Sequence, residues 1–294
     1  MRSGWGGRLD ATNVVRPEAC IITTIGLDHI DVLGDSLAQI AVEKAGIIKA
    51  GAAVISSPQI TEALEVIAER CRRNGVELVL TGRDIGYKKI GFRDGRQLME
   101  IKGRLASYSI ASPLLGGYQL ENTSVAVAAL EGLAERGYNI TRESIINGLE
   151  KVSWPGRFQV LAKKPLVIAD GAHNPAAIRQ LKQSLADYIS QEDKKAFTKS
   201  VLVFGASEDK DIVAIVAELT NDFDMVITTR SSHPRAMEAA PLAAEFGKYH
   251  IETCIAETVA EAVEKALSIA KEDGFICITG SLFVVGEAIQ QLSK

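Results

Sequence analysis

Several features that mark membrane, secreted or nucleic-acid-binding proteins are missing from this sequence. Its four cysteines lie far apart, without the short spacing of zinc and redox motifs, which is typical of buried thiols in a reducing cytoplasm. No apolar run reaches the ~18 residues of a membrane span, and the first residues lack the apolar core of a signal peptide. The net charge is -4 and the basic residues are dispersed, so nothing favours nucleic acid. We therefore expect a cytoplasmic protein with no nucleic-acid or membrane partner.

The length and composition fit a soluble chain of two α/β domains. At 294 residues the chain is too long for one ordinary domain, and 47% hydrophobic with 24% charged residues suit a large packed core. No internal repeat or low-complexity segment is visible. The segment Trp154-Pro155-Gly156 breaks helical continuity. We place the boundary there and expect domains at residues 1–153 and 154–294.

Short apolar strands alternate with helices on both sides of that boundary. In the first domain the pattern predicts parallel strands at residues 19–25, 52–55 and 76–80, with helices between them. Short alternating stretches around Asp94-Gly95, a dipeptide that favours a hairpin turn, predict a small antiparallel patch between residues 87 and 110. In the second domain we predict strands at residues 166–169, 201–204, 225–228 and 275–278. Helices separate these strands, which is typical of a doubly wound α/β domain.

Glycines cluster near the start, in the sequence GWGGRLDATN over residues 4–13. Glycines let a backbone approach a ligand closely, and Asp10, Thr12 and Asn13 place polar groups beside it. A plain surface turn explains the same residues equally well. The cluster has no predicted strand before it, whereas a complete α/β domain normally starts earlier.

Two further side chains in the first domain have both a functional and an ordinary interpretation. His29 in GLDH follows a predicted strand, where parallel sheets bind ligands and a histidine can hold a metal or move a proton. A lone histidine is more often simply hydrogen-bonded. Lys44 lies on a predicted helix within EKAGIIK, where a solvated surface charge is the ordinary interpretation.

In the second domain, polar or small residues follow three predicted strands. Asp170, His173 and Asn174 stand between a strand and the helix that Pro175 begins, and residues 205–207 and 279–281 end two further strands. A capped helix start explains Asn174 but leaves Asp170 and His173 without a role. Three such turns at one predicted edge favour a ligand crevice. DKD at 209–211 and HPRA at 233–236 also follow strands, and either could simply cap a helix.

The position of Asp170 and His173 at the carboxyl edge gives a more specific expectation. We expect both side chains to project into the cleft between the domains rather than to pack inside the second domain. An unpaired carboxylate in an apolar interior is strongly disfavoured, and the sequence offers Asp170 no evident internal partner.

Taken together, these segments resemble the folylpolyglutamate and dihydrofolate synthases of the Mur ligase superfamily. The similarity runs in order from residue 4 to about residue 286, and no single motif decides it. It depends on a set of segments at compatible spacings: GGRLDATN, GLDH, EKAGIIK, YQLEN, WPGRF, DGAHNP, FGAS with DKD, and HPRA. The resemblance implies an incomplete ATP-binding domain of the Mur ligase central type, with a parallel sheet and a small antiparallel patch. A Rossmann-like, doubly wound C-terminal domain would follow it.

The activity implied by the resemblance is an ATP-dependent ligation of L-glutamate to the carboxylate of folate or dihydropteroate through an acyl phosphate. The implied cofactors are ATP and Mg²⁺, and the family leans towards a monomer. In the first domain, Leu9, Asp10 and Ala11 would line the pteroate pocket. His29 would be a magnesium ligand. Lys44 would be a catalytic lysine that is carbamylated, giving a negative group that helps to hold a second magnesium.

The resemblance also implies a set of nucleotide residues. ATP would be contacted by Asn122, Arg157 and Asp170. His173 would lie beside them as a catalytic residue, facing the phosphates or the incoming glutamate. A hinge near residues 154–157 would close the domains and keep water from the acyl phosphate.

Two departures from the family pattern point to weakened activity. The phosphate loop G-T-N-G-K-G-S does not occur in this sequence, and Arg2 stands where the family has a glutamate that binds magnesium. A cation there would repel the metal. We therefore expect the chain as given to be an impaired ligase. The alternatives are a degenerate, non-catalytic binding protein and a different Mur-type amino-acid ligase, although GGRLDATN favours the folate branch.

Overall fold

Residues 7–26, 36–192 and 197–293 are described by the computed structural model of the protein. They form two units. Unit 1 comprises the described residues up to Pro113 together with Tyr118–Val152, and unit 2 comprises Leu114–Gly117 and the described residues from Ser153 onward. Within these ranges no helix combines the length and apolar character that crossing a membrane requires.

A three-stranded parallel sheet with two helices forms the first part of unit 1. Its strands are β1 (Ala19–Ile22), β2 (Ala53–Ser56) and β3 (Leu78–Leu80), hydrogen-bonded in that order. The helices α1 (Leu37–Ala45) and α2 (Thr61–Arg73) connect successive strands, and Ser36 caps α1 by accepting a hydrogen bond from the Gln39 N–H. Apolar side chains of both helices pack on one face of this sheet, among them Ile40 and Ile67.

An antiparallel sheet and two helices complete unit 1. The strands β4 (Gly86–Arg93), β5 (Arg96–Lys102) and β6 (Ser107–Ser112) pair in sequence order. Asp94 and Gly95, the predicted hairpin turn, both have positive φ, as a two-residue turn of this kind requires. The helices α3 (Gly117–Ala134) and α4 (Arg142–Lys151) follow, and α3 packs on the apolar face of the sheet.

A buried carboxylate fixes the connection between β5 and β6 to α3. Glu131 of α3 is buried, and its two oxygens accept hydrogen bonds from three backbone N–H groups and one hydroxyl, those of Arg104, Leu105, Ala106 and Tyr108. Burial and this hydrogen bond raise the pKa of the Tyr108 hydroxyl. The charge is thus satisfied by four donors, which makes Glu131 a structural residue.

Unit 2 is a doubly wound domain around a six-stranded sheet. The strand order is β11-β10-β9-β12-β8-β7, parallel throughout except that β7 runs antiparallel to β8. The strands are β7 (Gln159–Lys163), β8 (Leu166–Ala169), β9 (Ser200–Phe204), β10 (Met225–Thr228), β11 (Glu252–Ile255) and β12 (Phe275–Thr279). The helices are α5 (Pro175–Glu192), α6 (Ile212–Leu219), α7 (Ala239–Gly247), α8 (Val259–Ala270) and α9 (Leu282–Leu292). Helices α8 and α9 pack on one face, and the contact of Phe204 with Phe246 places α7 on the other.

The predicted fold class is confirmed, with three elements that the sequence pattern did not predict. The parallel sheet, the antiparallel patch and the doubly wound second domain are all present. The strands β7 and β11 and the helix α9 were not predicted. Strand β11 is an edge strand that begins with a glutamate and is only partly buried, so its apolar signal is weak.

Candidate functional site

In unit 1, residues 7–13 of the GGRLDATN segment lie on the end of the helix that carries Lys44. The backbone of Gly7 is so close to α1 that a Cβ there would lie 2.7 Å from the carbonyl oxygens of Glu43 and Lys44. A Cβ on Gly46, just after α1, would lie 2.6 Å from the Cβ of Arg8. The two motifs GGRLDATN and EKAGIIK therefore pack directly against each other, and each contributes one glycine to the contact.

Polar contacts hold the same two segments together. The Arg8 N–H donates to the Glu43 carbonyl at 2.8 Å, and the Arg8 guanidinium pairs with the Glu43 carboxylate at 2.9 Å. This pairing raises the pKa of Arg8. The Asn13 amide donates to the carbonyl oxygens of Arg8 and Gly46. The loop that the resemblance assigns to pteroate is thus fixed beside the lysine that it assigns to carbamylation.

The three predicted pteroate residues lie on this loop, two of them open to solvent. Leu9 is 77% exposed and Ala11 is also exposed. The Asp10 carboxylate accepts hydrogen bonds from the N–H and the hydroxyl of Thr12, at 2.8 and 2.6 Å, and so caps the short helix Ala11–Val14. Leu9 and Ala11 are accessible to a ligand, whereas Asp10 has a local structural partner. The surface-turn interpretation accounts for Asp10 equally well.

Lys44 is half-buried in the last turn of α1, and its side-chain amine has no hydrogen bond or ion pair with any residue that the structure describes. An ammonium group repels Mg²⁺, but a carbamate would supply the oxygen ligands that Mg²⁺ prefers. The unpaired amine fits that modification. His29, the other predicted magnesium ligand, lies outside the described residues. Within the described ranges no group of three or more His, Cys, Asp or Glu side chains is arranged to hold a metal.

Asn122 lies at the same edge of unit 1 as the carboxyl end of β1. It is exposed near the start of α3, and its amide donates to the Gln119 side chain at 3.2 Å. The neighbouring Glu121 accepts a hydrogen bond from Thr24, which follows β1. This contact brings the beginning of α3 to the strand end from which the GLDH segment departs.

In unit 2 the three turns predicted to share one edge do lie side by side. The strands that they follow are adjacent in the order β9-β12-β8. Glycines bring the turns into close contact: a Cβ on Gly280 would lie 2.5 Å from the Gly205 carbonyl oxygen, and one on Gly205 would lie 2.5 Å from that of Thr229. Gly280 also has a φ of 98°. These glycines are buried, so they pack the turns closely against one another at the edge where doubly wound sheets bind ligands.

The expectation that Asp170 projects away from its own domain is wrong. Asp170 is 4% exposed, and its two carboxylate oxygens accept hydrogen bonds from the Phe158 N–H at 2.7 Å and the Ala172 N–H at 2.8 Å. The Thr279 hydroxyl donates to its carbonyl oxygen at 2.7 Å. Asp170 therefore has the dedicated internal partners that the sequence did not reveal, and the burial of its charge is compensated.

Arg157 lies on a loop that is attached to this same strand end. The Gly171 N–H donates to the Gly156 carbonyl, and the Gly156 N–H donates to the Gln159 side chain, both at 2.9 Å. Phe158 has a φ of 39° and is 1% exposed, with its ring against Tyr188. The partly exposed Arg157 guanidinium has no hydrogen bond or ion pair with any described residue. A cation without an internal partner is available to an anionic ligand.

His173 has one ring nitrogen fixed and the other available. Its Nδ1 lies 2.8 Å from the Gly171 carbonyl oxygen, which can only accept, so Nδ1 carries the hydrogen. In the neutral ring, Nε2 is then an acceptor with no partner among the described residues, on a half-buried side chain. Asn174 accepts a hydrogen bond from the Ala177 N–H, so the capping interpretation is right for Asn174.

The remaining polar turns have structural partners. Asp211 caps α6 by accepting from the Ala214 N–H, and Asp209 pairs with Lys210 at 2.8 Å, which lowers the pKa of Asp209. The His233 ring stacks on Phe283, with 3.7 Å between ring centroids. The capping interpretation is right for Asp211 of DKD, whereas no side chain of HPRA caps the helix that follows, whose N-cap is Glu238.

Sequence reasoning missed two residues that shape this edge. Leu282 fills the space beside Gly171, where a Cβ would lie 2.2 Å from its Cδ2 atom. Gln159 closes the loop that carries Arg157 through its hydrogen bond to Gly156. The glutamine directly after WPGRF was a visible signal, but nothing in the sequence links residue 282 to residue 171.

A groove of about 840 Å³ lies on the outer side of α1 and α2. Its lining includes Arg8, Val42, Gly46 and Val66 but none of the predicted site residues. Several of its charged side chains are paired, such as Arg72 and Arg73 with Glu69. We therefore do not assign the chemistry to this groove.

Two domain families match the sequence. Residues 3–130 match the Mur ligase middle domain, and residues 156–282 match the Mur ligase glutamate ligase domain. These two domains in this order define the class: the chain belongs to the Mur ligases.

Proteins that are similar in sequence or structure show which family of Mur ligases the chain belongs to. The chain is 32% identical over 311 residues to the dihydrofolate synthase/folylpolyglutamate synthase of Mycobacterium tuberculosis, covering 97% of this chain and 62% of that protein. It is 29% identical over 294 residues to the Bacillus subtilis protein of that name, covering 99% and 66%. A crystal structure of Mycobacterium tuberculosis folylpolyglutamate synthase with ADP and AMPPCP has a TM-score of 0.87 at 31% identity, covering 99% of this chain and 67% of that one. The chain belongs to the folylpolyglutamate synthase family, and it spans less than two thirds of the length of these two curated relatives.

Proposed function

We propose that the protein is an ATP-dependent ligase that joins L-glutamate to the carboxylate of folate or dihydropteroate. The observation that carries the proposal is the arrangement at the carboxyl edge of the unit 2 sheet. An arginine with no ion-pair partner among the described residues lies on a loop anchored to the end of β8, in a sheet whose neighbouring strand ends share that edge, which suits an anionic ligand such as a nucleotide. Relatives solved with ADP and AMPPCP, and one with DHPP and ADP, support this assignment.

The proposed reaction has two steps. A carboxylate oxygen of the folate attacks the γ-phosphorus of ATP, the bond to the β-phosphate oxygen breaks, and an acyl phosphate and ADP form. The amino group of glutamate then attacks the carbonyl carbon, phosphate leaves with the electron pair of the C–O bond, and the nitrogen loses a proton. Both steps concentrate negative charge, so cationic groups placed beforehand accelerate them.

In unit 2 we assign the positive and the basic groups of this reaction. The Arg157 guanidinium would stabilise the phosphate charge, because no described residue neutralises it internally. His173 would accept the proton of the attacking amine at Nε2, since Nδ1 is held by the Gly171 carbonyl. Asp170 would contribute to nucleotide binding, and Asn122 of unit 1 would contact ATP.

In unit 1 we assign the folate and metal groups. Leu9, Asp10 and Ala11 would line the pteroate pocket, His29 would bind Mg²⁺, and Lys44 would do so as its carbamate. Magnesium, when bound, would neutralise phosphate charge. The chain itself would supply the fixed loop: Gly7 packed on α1 holds the pteroate residues beside Lys44.

The test is an assay of the purified chain with ATP, Mg²⁺, glutamate and either dihydropteroate or a reduced folate. We expect ADP release that depends on both glutamate and the pteroate substrate, and a product one glutamate longer by mass spectrometry. Nucleotide binding without product would indicate the degenerate binding protein instead. Product formed only with another amino acid or acceptor would indicate a different Mur-type ligase.

A further inference from the structure

The HPRA segment at residues 233–236 is anchored on two sides although none of its side chains caps a helix. The helix α9 holds the beginning of this loop. The N–H and the hydroxyl of Ser232 both donate to the Glu287 carboxylate at 2.8 Å, and the His233 ring stacks on Phe283 with 3.7 Å between ring centroids. This half of the loop is therefore attached to a helix other than the one that the loop leads into.

The second half of the loop is attached to the turn that follows β9. Ser207 and Ala236 pair as an isolated antiparallel bridge. The Glu208 N–H donates to the Arg235 carbonyl oxygen at 3.1 Å, and the Arg235 N–H donates to His233 Nδ1 at 3.2 Å. Both backbone polar groups of Arg235 thus have partners, so the position from which its side chain starts is fixed.

The Arg235 guanidinium is exposed and has no hydrogen bond or ion pair with any residue that the structure describes. Asp209 of the neighbouring turn is not its partner, because Asp209 pairs with Lys210 at 2.8 Å. The hydrogen bond with Lys210, and more weakly the charge of Arg235, lower the pKa of Asp209, so Arg235 lies near that turn. Arg230 of the same loop differs, since it pairs with Glu238. A guanidinium without an internal partner on an anchored backbone suits an anionic ligand.

The place of Arg235 in the sheet indicates which part of a substrate it would meet. The strands run in the order β10-β9-β12-β8 and neighbouring strands are ~4.8 Å apart, so the ends of β10 and β8 are separated by about 14 Å. His173 follows β8, and the proposed reaction brings the attacking amino group of glutamate there. An arginine side chain from the β10 end and a glutamate molecule from the β8 end together cover this distance. The group of glutamate farthest from its amine is the γ-carboxylate, which a guanidinium can bind through two parallel hydrogen bonds.

We propose that Arg235 binds the γ-carboxylate of the incoming glutamate and is the residue that selects an acidic amino acid. This rests on the proposed function, because that reaction is what brings glutamate to the site, and it adds the group that recognises the glutamate side chain. It has one specific consequence. Glutamine has an amide in place of this carboxylate, so the protein should prefer glutamate to glutamine only while the Arg235 guanidinium is present.

Amino-acid binding to the full chain tests this consequence without any turnover. The affinities of L-glutamate and L-glutamine are measured by NMR titration for the unmodified chain and for Arg235→Ala. We expect glutamate to bind at least about tenfold more tightly than glutamine to the unmodified chain, the effect of charge-assisted hydrogen bonds, and within about twofold of glutamine to Arg235→Ala. An equal preference in both proteins, or no preference in the unmodified chain, would overturn the proposal.

Two further variants separate recognition from charge alone. Arg230→Ala is the matched control, because Arg230 is an arginine of the same loop that already has an internal partner, Glu238. It should keep the full preference for glutamate. Arg235→Lys keeps the charge but not the planar pair of donors, so it should keep part of the preference. A loss as complete as that in Arg235→Ala would count against the proposal, and thermal unfolding checks that all variants are folded.

Turnover distinguishes failure of this proposal from failure of the proposed function. If the unmodified chain forms product, Arg235→Ala should raise KM for glutamate at least about tenfold and leave KM for ATP unchanged. An unchanged KM for glutamate would keep the ligase function and remove this role of Arg235. If the unmodified chain forms no product, the proposed function fails, while the binding preference still decides whether Arg235 recognises the γ-carboxylate.

Discussion

At the scale of single residues, two glycines far apart in the sequence determine how unit 1 presents its candidate ligand loop. Gly7 and Gly46 each lie where a Cβ would overlap the opposite segment. The φ of Gly46 is -59°, which any residue can adopt, so only the lack of a side chain is required there. The requirement is therefore steric, and adding a single methyl group at residue 46 tests it.

Gly46→Ala should destabilise the protein by about 1–3 kcal/mol, because the added methyl would lie 2.6 Å from Arg8 and force the loop off α1. Thermal unfolding measures this. Gly148→Ala is the control, since Gly148 lies in a helix with no atom within 4 Å of an added Cβ, and it should be neutral or slightly stabilising. Equal melting temperatures for the two variants would contradict close packing of Gly46 against Arg8.

Lys44→Ala should lower turnover strongly without unfolding the protein, because the lysine is half-buried and unpaired among the described residues. Bicarbonate or acetate should partly restore the rate if the missing group is a carbamate. Lys49→Ala, from the same EKAGIIK segment, serves as the control and should retain activity. Full activity of Lys44→Ala would mean that Lys44 is an ordinary surface charge.

His173→Ala should reduce glutamate-dependent turnover by about 10²- to 10⁴-fold, the range for a lost general base, and leave ATP affinity nearly unchanged. The reason is the geometry of the ring, with Nδ1 held and Nε2 available. Rates and affinities are measured separately, with His250→Ala in a turn after α7 as the control. Loss of ATP affinity with an unchanged rate at saturation would assign His173 to binding instead.

The sequence identified candidate site residues, but it did not show which groups their side chains contact. Asn174 was read as a possible helix cap, and it is one. Asp170 was read as facing outward because no partner was evident. Its partner is a backbone N–H of Phe158, twelve positions earlier in the chain, and main-chain donors carry no sequence signature.

At the scale of secondary-structure elements, the buried strands of the unit 2 sheet were predictable and its two edge strands were not. The strands β8 and β10 are fully buried and β-branched, so their apolar runs give a clear signal with the bounds as predicted. The strand β7 pairs only with β8 at the edge of the sheet, and its side chains are only partly buried. In the unit 2 sheet, burial on both faces therefore separates the strands that the sequence reveals from those that it does not.

The contact between α3 and the connection from β5 to β6 depends on a single charged group, the Glu131 carboxylate. Glu131→Gln should destabilise the protein by about 2–4 kcal/mol, because an amide nitrogen would face backbone N–H groups that now share a carboxylate. Chemical denaturation measures the loss. Glu135→Gln, a nearby and more exposed change, should have an effect below about 0.5 kcal/mol. A neutral Glu131→Gln would mean that the connection is held by packing alone.

At the scale of the whole molecule, two Mur ligase domains are present, but the sequence contains no phosphate loop of the family form. Such a loop supplies backbone N–H groups and a lysine to the phosphates. We therefore expect this chain to bind ATP weakly and to release ADP at less than about 1 per second. Steady-state assays with glutamate and a pteroate substrate measure the rate. Turnover at ordinary enzyme rates would show that the phosphates are held in another way.

The strand order of unit 2 also has a consequence for protein synthesis. The last strand, β12, pairs with both β8 and β9 in the middle of the sheet. While the ribosome is still translating the preceding residues, β8 and β9 have no common neighbour, and their open edges can pair with other nascent chains. A polypeptide released after residue 274 would keep residues 156–173 and 205–207 but lack the strand that aligns them. The unit 2 part of the candidate site is therefore assembled only after residues 275–279 have left the exit tunnel.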